Sequence, residues 1–140
     1  MLAVLAEKAG TAGLTNVRTQ LVDFEKGEHP PGRYHLIVSS MTMHHVPDTG
    51  ALFRWWYSLL VPGGRIAVAD LDLEEGLFHR DRTGVFHNGF VRDELIRALG
   101  AEGFRDVQTT TATTTTKEVA GGVTRTFSVF LLTGAKPTAP

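Results

Sequence analysis

Apolar positions in the first part of the chain alternate between helical stripes and short continuous runs. One apolar face predicts an amphipathic helix over Met1–Ala9. The run VRTQLV predicts a short strand over Val17–Val22. A second run, HLIV, follows Tyr34 and predicts a strand covered on both faces. The segment Glu25–Arg33 between them is rich in proline and glycine, so we expect a loop.

The rest of the chain continues this alternation of helices and strands. An apolar stripe predicts a helix capped by Asp48, and the run IAVA predicts a strand over Arg65–Ala69. A further helix is expected over Arg92–Glu102. Two β-branched runs, Val107–Thr116 and Val123–Thr133, are joined through glycines and predict an antiparallel hairpin. The pattern therefore predicts an α/β fold with parallel strands, helical crossovers and a closing hairpin.

Polar and imidazole side chains follow the two predicted parallel strands. The strand that begins at Tyr34 runs into Ser39, Ser40, Met41, His44 and His45. The strand that ends at Ala69 runs into Asp70 and Asp72. Right-handed crossovers place both strand ends at one edge of the sheet, where α/β proteins bind ligands. We therefore expect these side chains to converge on a ligand site.

The loop Glu74–Gly89 is too long and too aromatic for a simple connection. It carries two aromatic–histidine pairs, Phe78-His79 and Phe86-His87, on either side of a charged stretch. This content predicts a lid or a segment that faces a substrate. An ordered surface loop with scattered histidines is the alternative.

Composition excludes several classes of protein. The chain has 140 residues, a net charge of -1 and no cysteine. It offers no basic surface for nucleic acid, no lysine-rich helix for a membrane surface and no thiolate metal site. No apolar run approaches the roughly 20 residues that span a bilayer, and the start lacks the features of a signal peptide. We expect one cytoplasmic domain over residues 1–136 and a tail over 137–140.

Asp23 and Phe24 follow the predicted strand Val17–Val22. A carboxylate at a strand end can accept a hydrogen bond from the exocyclic amine of a base, and the next aromatic ring can pack nearby. An acid that opens a turn before Gly27 is the alternative.

The order of these motifs resembles that of the class I S-adenosylmethionine-dependent methyltransferases. The similarity rests on VDF, YHLIVSSMTMHHV, LVPGGRIAVADLD and GF-x-RDEL, and it covers nearly the whole chain. Within the family, the bacterial small-molecule branch is the most similar. The resemblance implies a Rossmann-like three-layer α/β/α sheet, mostly parallel. It also implies S-adenosyl-L-methionine as cofactor, a small-molecule methyl acceptor and no metal.

The resemblance also implies a role for each matching residue. Asp23 would contact the adenine amino group. The implied cofactor-binding residues are Asp23, Phe24, Ser39, Ser40 and Met41. The implied substrate-side residues are Asp70, Asp72, His79 and His87. A histidine could remove the acceptor's proton, with His44 and His45 favoured and His87 a weaker candidate.

One part of the family pattern is missing. The family begins with a strand, a glycine-rich turn and a second strand that ends in an acid, whereas this sequence contains no G-x-G. In the sheet of the family, the absent strands would lie between the strand at Val17 and the strand at Tyr34. Their loss would leave two bare strand edges. We expect one of three arrangements. The two edges pair with each other, or another copy of the chain fills the gap by self-association, or the chain is a truncated form with weak or no activity alone.

Two alternatives to an active methyltransferase remain at this point. One is a non-catalytic remnant or partner-binding fragment, consistent with the missing glycine-rich turn. The other is a metal-dependent hydrolase that uses converging imidazoles and carboxylates. Its ligands would come from His44, His45, Asp70, Asp72, His79 and His87. The chain has no H-x-H or H-E-x-x-H spacing, which counts against this second alternative.

Overall fold

The computed structural model describes residues 1–138, which form two compact units, Met1–Gly32 and the described residues from Arg33 onward. Of the tail expected over residues 137–140, positions 137 and 138 belong to no helix or strand, and the last two lie outside the described residues. Within the described residues, no helix is long and apolar enough to cross a membrane.

The first unit contains one α-helix, α1 (Leu2–Thr11), and a short 3₁₀ helix, Phe24–Lys26. The helix predicted over Met1–Ala9 is thereby confirmed and runs two residues further. Ala9 is its one buried side chain, while Leu2 and Leu5 on the same apolar face stay exposed.

The strand predicted over Val17–Val22 is wrong. This segment has no regular secondary structure, and every strand of the described sheet lies after residue 33. An extended segment becomes a strand only when a neighbour takes its backbone hydrogen bonds, and β-branched residues alone cannot supply that neighbour.

The described part of the second unit contains a four-stranded sheet, two α-helices and a short 3₁₀ helix. In chain order its elements are β1 (Tyr34–Ser40), α2 (Thr49–Leu59), β2 (Leu60–Leu71), α3 (Arg92–Ala101), β3 (Arg105–Glu118) and β4 (Thr124–Ala135). The sheet order is β1-β2-β4-β3. β1 and β2 run parallel with Ile37 opposite Ile66, and the other two pairings are antiparallel.

The predicted α/β class and the closing hairpin are confirmed, and the sheet is mixed where a mostly parallel one was expected. The hairpin contributes two antiparallel pairings, while Val17–Val22 contributes none, so β1 and β2 form the one parallel pair among the described residues. Asp48 caps α2 as predicted, because its Oδ1 accepts a hydrogen bond from the amide of Ala51 at 2.9 Å.

The core of the second unit lies between the sheet and its helices. From α2, Leu52, Phe53, Trp56 and Leu59 are buried. α3 contributes Leu95 and Leu99. A separate apolar cluster lies under the carboxyl end of β2 and contains Leu71, Val119, Phe127 and Val129. This cluster supports the strand end from which Asp70 and the following loop project.

The expectation that β1 is covered on both faces is wrong. Leu36 and Val38 are 58% and 69% exposed, whereas Ile37 between them is partly buried. Side chains alternate between the two faces of a strand, so these two belong to one uncovered face. A continuous apolar run therefore marks the strand correctly but does not show what lies above each face.

Candidate functional site

The chain turns sharply where β1 ends. Met41 adopts a left-handed conformation with φ of 54°, which is uncommon for a residue other than glycine, and its amide donates to the carbonyl of Ala69 at 2.8 Å. The short 3₁₀ helix Met43–His45 follows and buries Met43 and His44. The turn thus places the ring of His44 beneath the carboxyl end of β2.

His44 and Asp70 form a fully buried hydrogen-bonded pair. The Nδ1 atom of His44 lies 2.6 Å from Oδ1 of Asp70, and the backbone amide of His44 donates to Oδ2 at 3.2 Å. The side chains are 1% and 0% exposed. The amide of Leu71 also donates to Oδ1 of Asp70 at 2.7 Å. The predicted convergence of the two strand ends is therefore confirmed for these two residues.

The ring of His79 extends this pair towards the solvent. Its Nε2 atom lies 3.0 Å from Nε2 of His44, although 35 residues separate the two histidines. The Asp70 carboxylate accepts from Nδ1 of His44, so in the neutral form of that ring Nε2 carries the lone pair. The shared proton therefore belongs to His79, whose Nε2 donates to His44.

His45 completes a group of three imidazoles. Its ring centroid lies 4.2 Å from that of His44 and 5.4 Å from that of His79. Its Nδ1 donates to the carbonyl of Gly84 at 2.8 Å, which leaves its Nε2 with the lone pair. We call His44, His45 and His79 the histidine cluster. One ring nitrogen from each of them lies within 4.8 Å of the other two.

The surroundings of His79, the partly buried member of the histidine cluster, disfavour a positive charge on its ring. Burial, reinforced by the neighbouring rings of His44 and His45, lowers the pKa of His79 below its ordinary value of 6.5. At neutral pH the ring of His79 is therefore neutral and able to accept a proton.

The loop Glu74–Gly89 folds back on the site and closes at its base. The amide of Phe90 donates to the carbonyl of Leu71 at 2.9 Å, and the amide of Glu74 donates to the carbonyl of Asn88 at 2.9 Å. The amide of Phe86 donates to the carbonyl of His44 at 3.0 Å. A long loop whose ends meet and whose interior contacts the site is typical of functional loops.

A cavity of about 460 Å³ opens beside His79. Two cationic residues of the loop, Arg80 and Arg82, contribute to its wall, and the guanidinium of Arg80 lies 3.7 Å from Oε1 of Glu118 at the end of β3, which also lines the cavity. The cavity wall therefore combines the imidazole of His79 with an ion pair of Arg80 and Glu118 and with Arg82, which donates to the carbonyl of Gly76 and to Oδ1 of Asn88.

Asp72 and His87, both expected beside the substrate, have other partners. Asp72 accepts two hydrogen bonds from Arg92, each 2.7 Å long, and Arg92 also donates to Oγ1 of Thr111. Nε2 of His87 lies 2.9 Å from the carbonyl of Val46, where it donates a hydrogen bond. Neither residue belongs to the histidine cluster.

The ion pair of Asp72 and Arg92 predicts an acid-sensitive contribution to stability. Hydrogen bonding from Arg92 holds the pKa of Asp72 below its ordinary value of 3.8. A lowered folded-state pKa contributes stability above the unfolded-state value, and this contribution is lost as the pH falls through the folded-state value. We expect Asp72→Asn to cost roughly 1 kcal/mol at pH 7.

Urea titrations of both proteins at pH 7 and at pH 3 measure this contribution. The difference in unfolding free energy between wild type and Asp72→Asn should narrow at pH 3, because this pH lies below the unfolded-state pKa of 3.8, where the contribution of the lowered folded-state pKa is being lost. A gap of equal size at the two pH values would contradict the assigned role of the carboxylate.

The remaining predicted cofactor residues lie at two places in the chain. Ser39 and Ser40 end β1, and Met41 follows them in its left-handed turn. In the first unit, Asp23 caps the 3₁₀ helix through Lys26 and, with Phe24, lines a cavity of about 490 Å³. Their contacts with a cofactor stay predictions.

Sequence reasoning missed three features of the site. The carbonyl of Gly84 fixes the ring of His45, and Arg92 takes the carboxylate of Asp72. Lys117 donates to the carbonyl of Phe78 at 2.6 Å and lies over its ring. The contact of Lys117 depends on how the loop folds against β3, and no local pattern marks it.

Comparison with known proteins supports the class that this fold and site indicate. Residues 3–109 match the methyltransferase-domain family. The chain is 36% identical over 55 residues to phosphoethanolamine N-methyltransferase 3 of Arabidopsis thaliana, a match that covers 39% of this chain and 11% of that protein.

Two solved structures have similar folds. The YcgJ protein of Bacillus subtilis aligns with a TM-score of 0.73 and 15% identity over 99% of this chain and 79% of that one. Phosphoethanolamine N-methyltransferase 2 of Haemonchus contortus, solved with S-adenosyl-L-methionine, aligns with a TM-score of 0.56 and 14% identity over 75% of this chain and 34% of that one.

The Rossmann-like methyltransferase fold is therefore the class to which this structure belongs. Because the match spans most of the sequence, the chain belongs to the methyltransferase-domain family, whose cofactor is S-adenosylmethionine. The predicted resemblance to class I methyltransferases is confirmed. The chain spans 11% of the Arabidopsis relative and 34% of the Haemonchus structure.

Proposed function

We propose that this chain transfers a methyl group from S-adenosylmethionine to a small molecule held beside the histidine cluster. The observation that carries the proposal is the hydrogen-bonded series in which the buried residues Asp70 and His44, at the carboxyl ends of β2 and β1, connect to the partly buried loop residue His79. Open α/β sheets bind their ligands at this edge. A family assignment and an ordered imidazole at that edge together support methyl transfer.

His79 is the catalytic base in this proposal, while His44 and Asp70 are positioning residues. The ring of His44 is fully buried and has partners at both nitrogens, whereas His79 lines the cavity. Because Nε2 of His79 donates to His44, its Nδ1 carries the lone pair that can take a proton. This assignment moves the base from His44 and His45, which the sequence favoured, to His79.

The reaction requires little chemical activation by the protein. The sulfonium of the cofactor is a strong electrophile, so the acceptor's lone pair forms a bond to the methyl carbon while the carbon–sulfur bond breaks. The products are S-adenosylhomocysteine and the methylated acceptor, and the acceptor's proton passes to His79. The protein therefore contributes alignment and a properly oriented base.

The cavity lining and the curated relative together guide the choice of acceptors. Arg80, whose exposed ion pair with Glu118 can open, and Arg82 place positive charge at the cavity wall, which favours an acceptor with a negative group at some distance from its nucleophile. The similar Arabidopsis protein is named for phosphoethanolamine. We therefore place small phosphorylated or carboxylated amines first in the panel, followed by phenols and thiols.

The test combines calorimetry with S-adenosylmethionine and a chromatographic assay for S-adenosylhomocysteine in the presence of each acceptor. We expect binding by the 140-residue chain and turnover with at least one acceptor. His79→Gln should lower kcat about 10²–10⁴-fold and leave cofactor affinity unchanged. His35→Ala, a change at an exposed histidine of β1, should alter neither quantity.

Two outcomes would contradict the proposal. Absence of cofactor binding would favour the alternative of a non-catalytic remnant. Turnover by His79→Gln at the wild-type rate would exclude His79 as the base.

A further inference from the structure

The histidine cluster has the geometry of a transition-metal site, and we propose that His44, His45 and His79 bind one Zn²⁺ ion. The inference goes beyond methyl transfer, because it concerns the binding of an ion and requires neither methyl donor nor acceptor. Three imidazoles with one open position are an established ligand set for zinc. The sequence lacks the usual metal-binding spacings, so only the fold brings these rings together.

The first argument is that two rings are already fixed in the tautomer that a metal requires. Nδ1 of His44 donates to Asp70, and Nδ1 of His45 donates to the carbonyl of Gly84. Both rings therefore keep a lone pair on Nε2. Metal-binding histidines typically donate their other ring N–H to a carboxylate or a backbone carbonyl, which are the two partners observed here.

The second argument is the spacing of the nitrogens. Nε2 of His44 and Nε2 of His79 lie 3.0 Å apart, and a nitrogen of each ring in the cluster lies within 4.8 Å of the others. Zinc–nitrogen bonds of about 2.0–2.1 Å in tetrahedral geometry separate two ligand nitrogens by roughly 3.3 Å. His44 and His79 are thus nearly at the required distance, and the exposed ring of His45 needs only a small movement.

The third argument is the uneven burial of the three ligands. His44 is buried and held by Asp70, His79 is half-buried, and His45 is exposed. An ion can therefore enter from the side of His45 and meet a ligand that is already rigid. The ion would take the place of the proton that His79 now donates to His44.

Loading with zinc has a consequence for the proposed base. With zinc on Nε2, the proton of a neutral His79 ring belongs on Nδ1, which the proposed reaction needs unprotonated. Zinc loading is therefore expected to slow methyl transfer through His79. Binding is measured without cofactor or acceptor, so failure of one proposal does not decide the other.

The experiment is calorimetric titration of ZnCl₂ into the metal-stripped 140-residue chain, prepared without a polyhistidine tag. We expect one equivalent to bind with a micromolar or lower Kd. The visible absorption of Co²⁺ bound in its place should have the high intensity of tetrahedral coordination. Mg²⁺, which prefers oxygen ligands, should not bind measurably.

Single variants assign the ligands. His45→Ala and His79→Ala should each weaken zinc binding by at least about 100-fold, because each removes a direct ligand, whereas loss of an outer hydrogen bond costs about 10–100-fold. His35→Ala on β1 is the matched control and should bind zinc as the wild type does. His45 is exposed, so His45→Ala is expected to fold, which circular dichroism verifies.

Three results would overturn the proposal. The first is a Kd for zinc that is more than about 100-fold higher than the expected micromolar value. The second is wild-type affinity in both His45→Ala and His79→Ala. The third is equal affinity for Mg²⁺ and Zn²⁺, which would show that the rings do not select the ion.

Discussion

Asp70→Ala is expected to lower the free energy of unfolding by about 3–5 kcal/mol and to abolish the proposed methyl transfer. The carboxylate accepts hydrogen bonds from the ring and the amide of His44 and from the amide of Leu71, and none of the three donors can reach water. Each buried donor left without a partner costs about 1–3 kcal/mol. The ring of His44 also loses the contact that fixes its tautomer.

Urea denaturation followed by circular dichroism measures the loss. Glu75→Ala, which removes an exposed carboxylate in the loop after β2, is the matched control and should leave the transition unchanged. If Asp70→Ala unfolds at the wild-type urea concentration, the buried pair does not stabilise this fold as we infer.

A double variant separates stability from function. Replacing both partners of a buried polar pair with apolar residues removes the unsatisfied donor of the ring and can restore much of the stability. We expect His44→Leu combined with Asp70→Leu to be more stable than Asp70→Ala and still inactive. An active double variant would show that the pair serves structure alone.

Gly89→Ala is expected to have the second large effect, a loss of roughly 3–5 kcal/mol together with a disordered base of the loop. A Cβ atom at Gly89 would overlap the carbonyl oxygen of Asp72 and lie 2.9 Å from that of Leu71. Both are backbone atoms at the end of β2, so no side-chain rotation relieves the clash. The residue also has a left-handed φ of 74°.

Gly84→Ala is the control for this prediction. Gly84 lies in the same loop and has the same φ of 74°, but a Cβ atom there meets nothing within 4 Å. Its substitution should cost only the left-handed backbone penalty of about 1–2 kcal/mol. Urea midpoints of the two variants thus isolate the steric contribution, and equal midpoints would contradict the close approach of Gly89 to β2.

Local patterns predicted the elements of the second unit closely. Asp48 and the apolar stripe after it gave the start and the buried face of α2, and the β-branched runs gave the hairpin of β3 and β4. These features depend on capping, helical periodicity and β-branching, which act over a few residues. Val17–Val22 had comparable strand propensity and forms no strand, because pairing depends on a partner elsewhere in the chain.

The sequence predicted where the polar residues of the candidate site lie, but not which residues they contact. The polar residues after β1 and β2 predicted that side chains converge at one edge of the sheet, and His44 meets Asp70 there. The strand-end rule suggested Asp72 and the loop suggested His87 for the substrate side; Asp72 accepts from Arg92 and His87 donates to the carbonyl of Val46, and their substrate contacts stay predictions. Which carboxylate faces which ring depends on the alternation of side chains at the strand end, where a shift of one residue reverses the face.

The sequence by itself determined the α/β class, the edge of the sheet that carries the polar groups, and the family to which the chain belongs. Only the tertiary structure decided that His79 joins His44 across 35 residues and that β1 leaves Leu36 and Val38 exposed. The reason is physical: helices, turns and strand propensities arise from neighbours along the chain. Which rings and carboxylates contact each other, and which strand faces are covered, depends on neighbours in space. For His79, the path of the loop Glu74–Gly89 determines those neighbours.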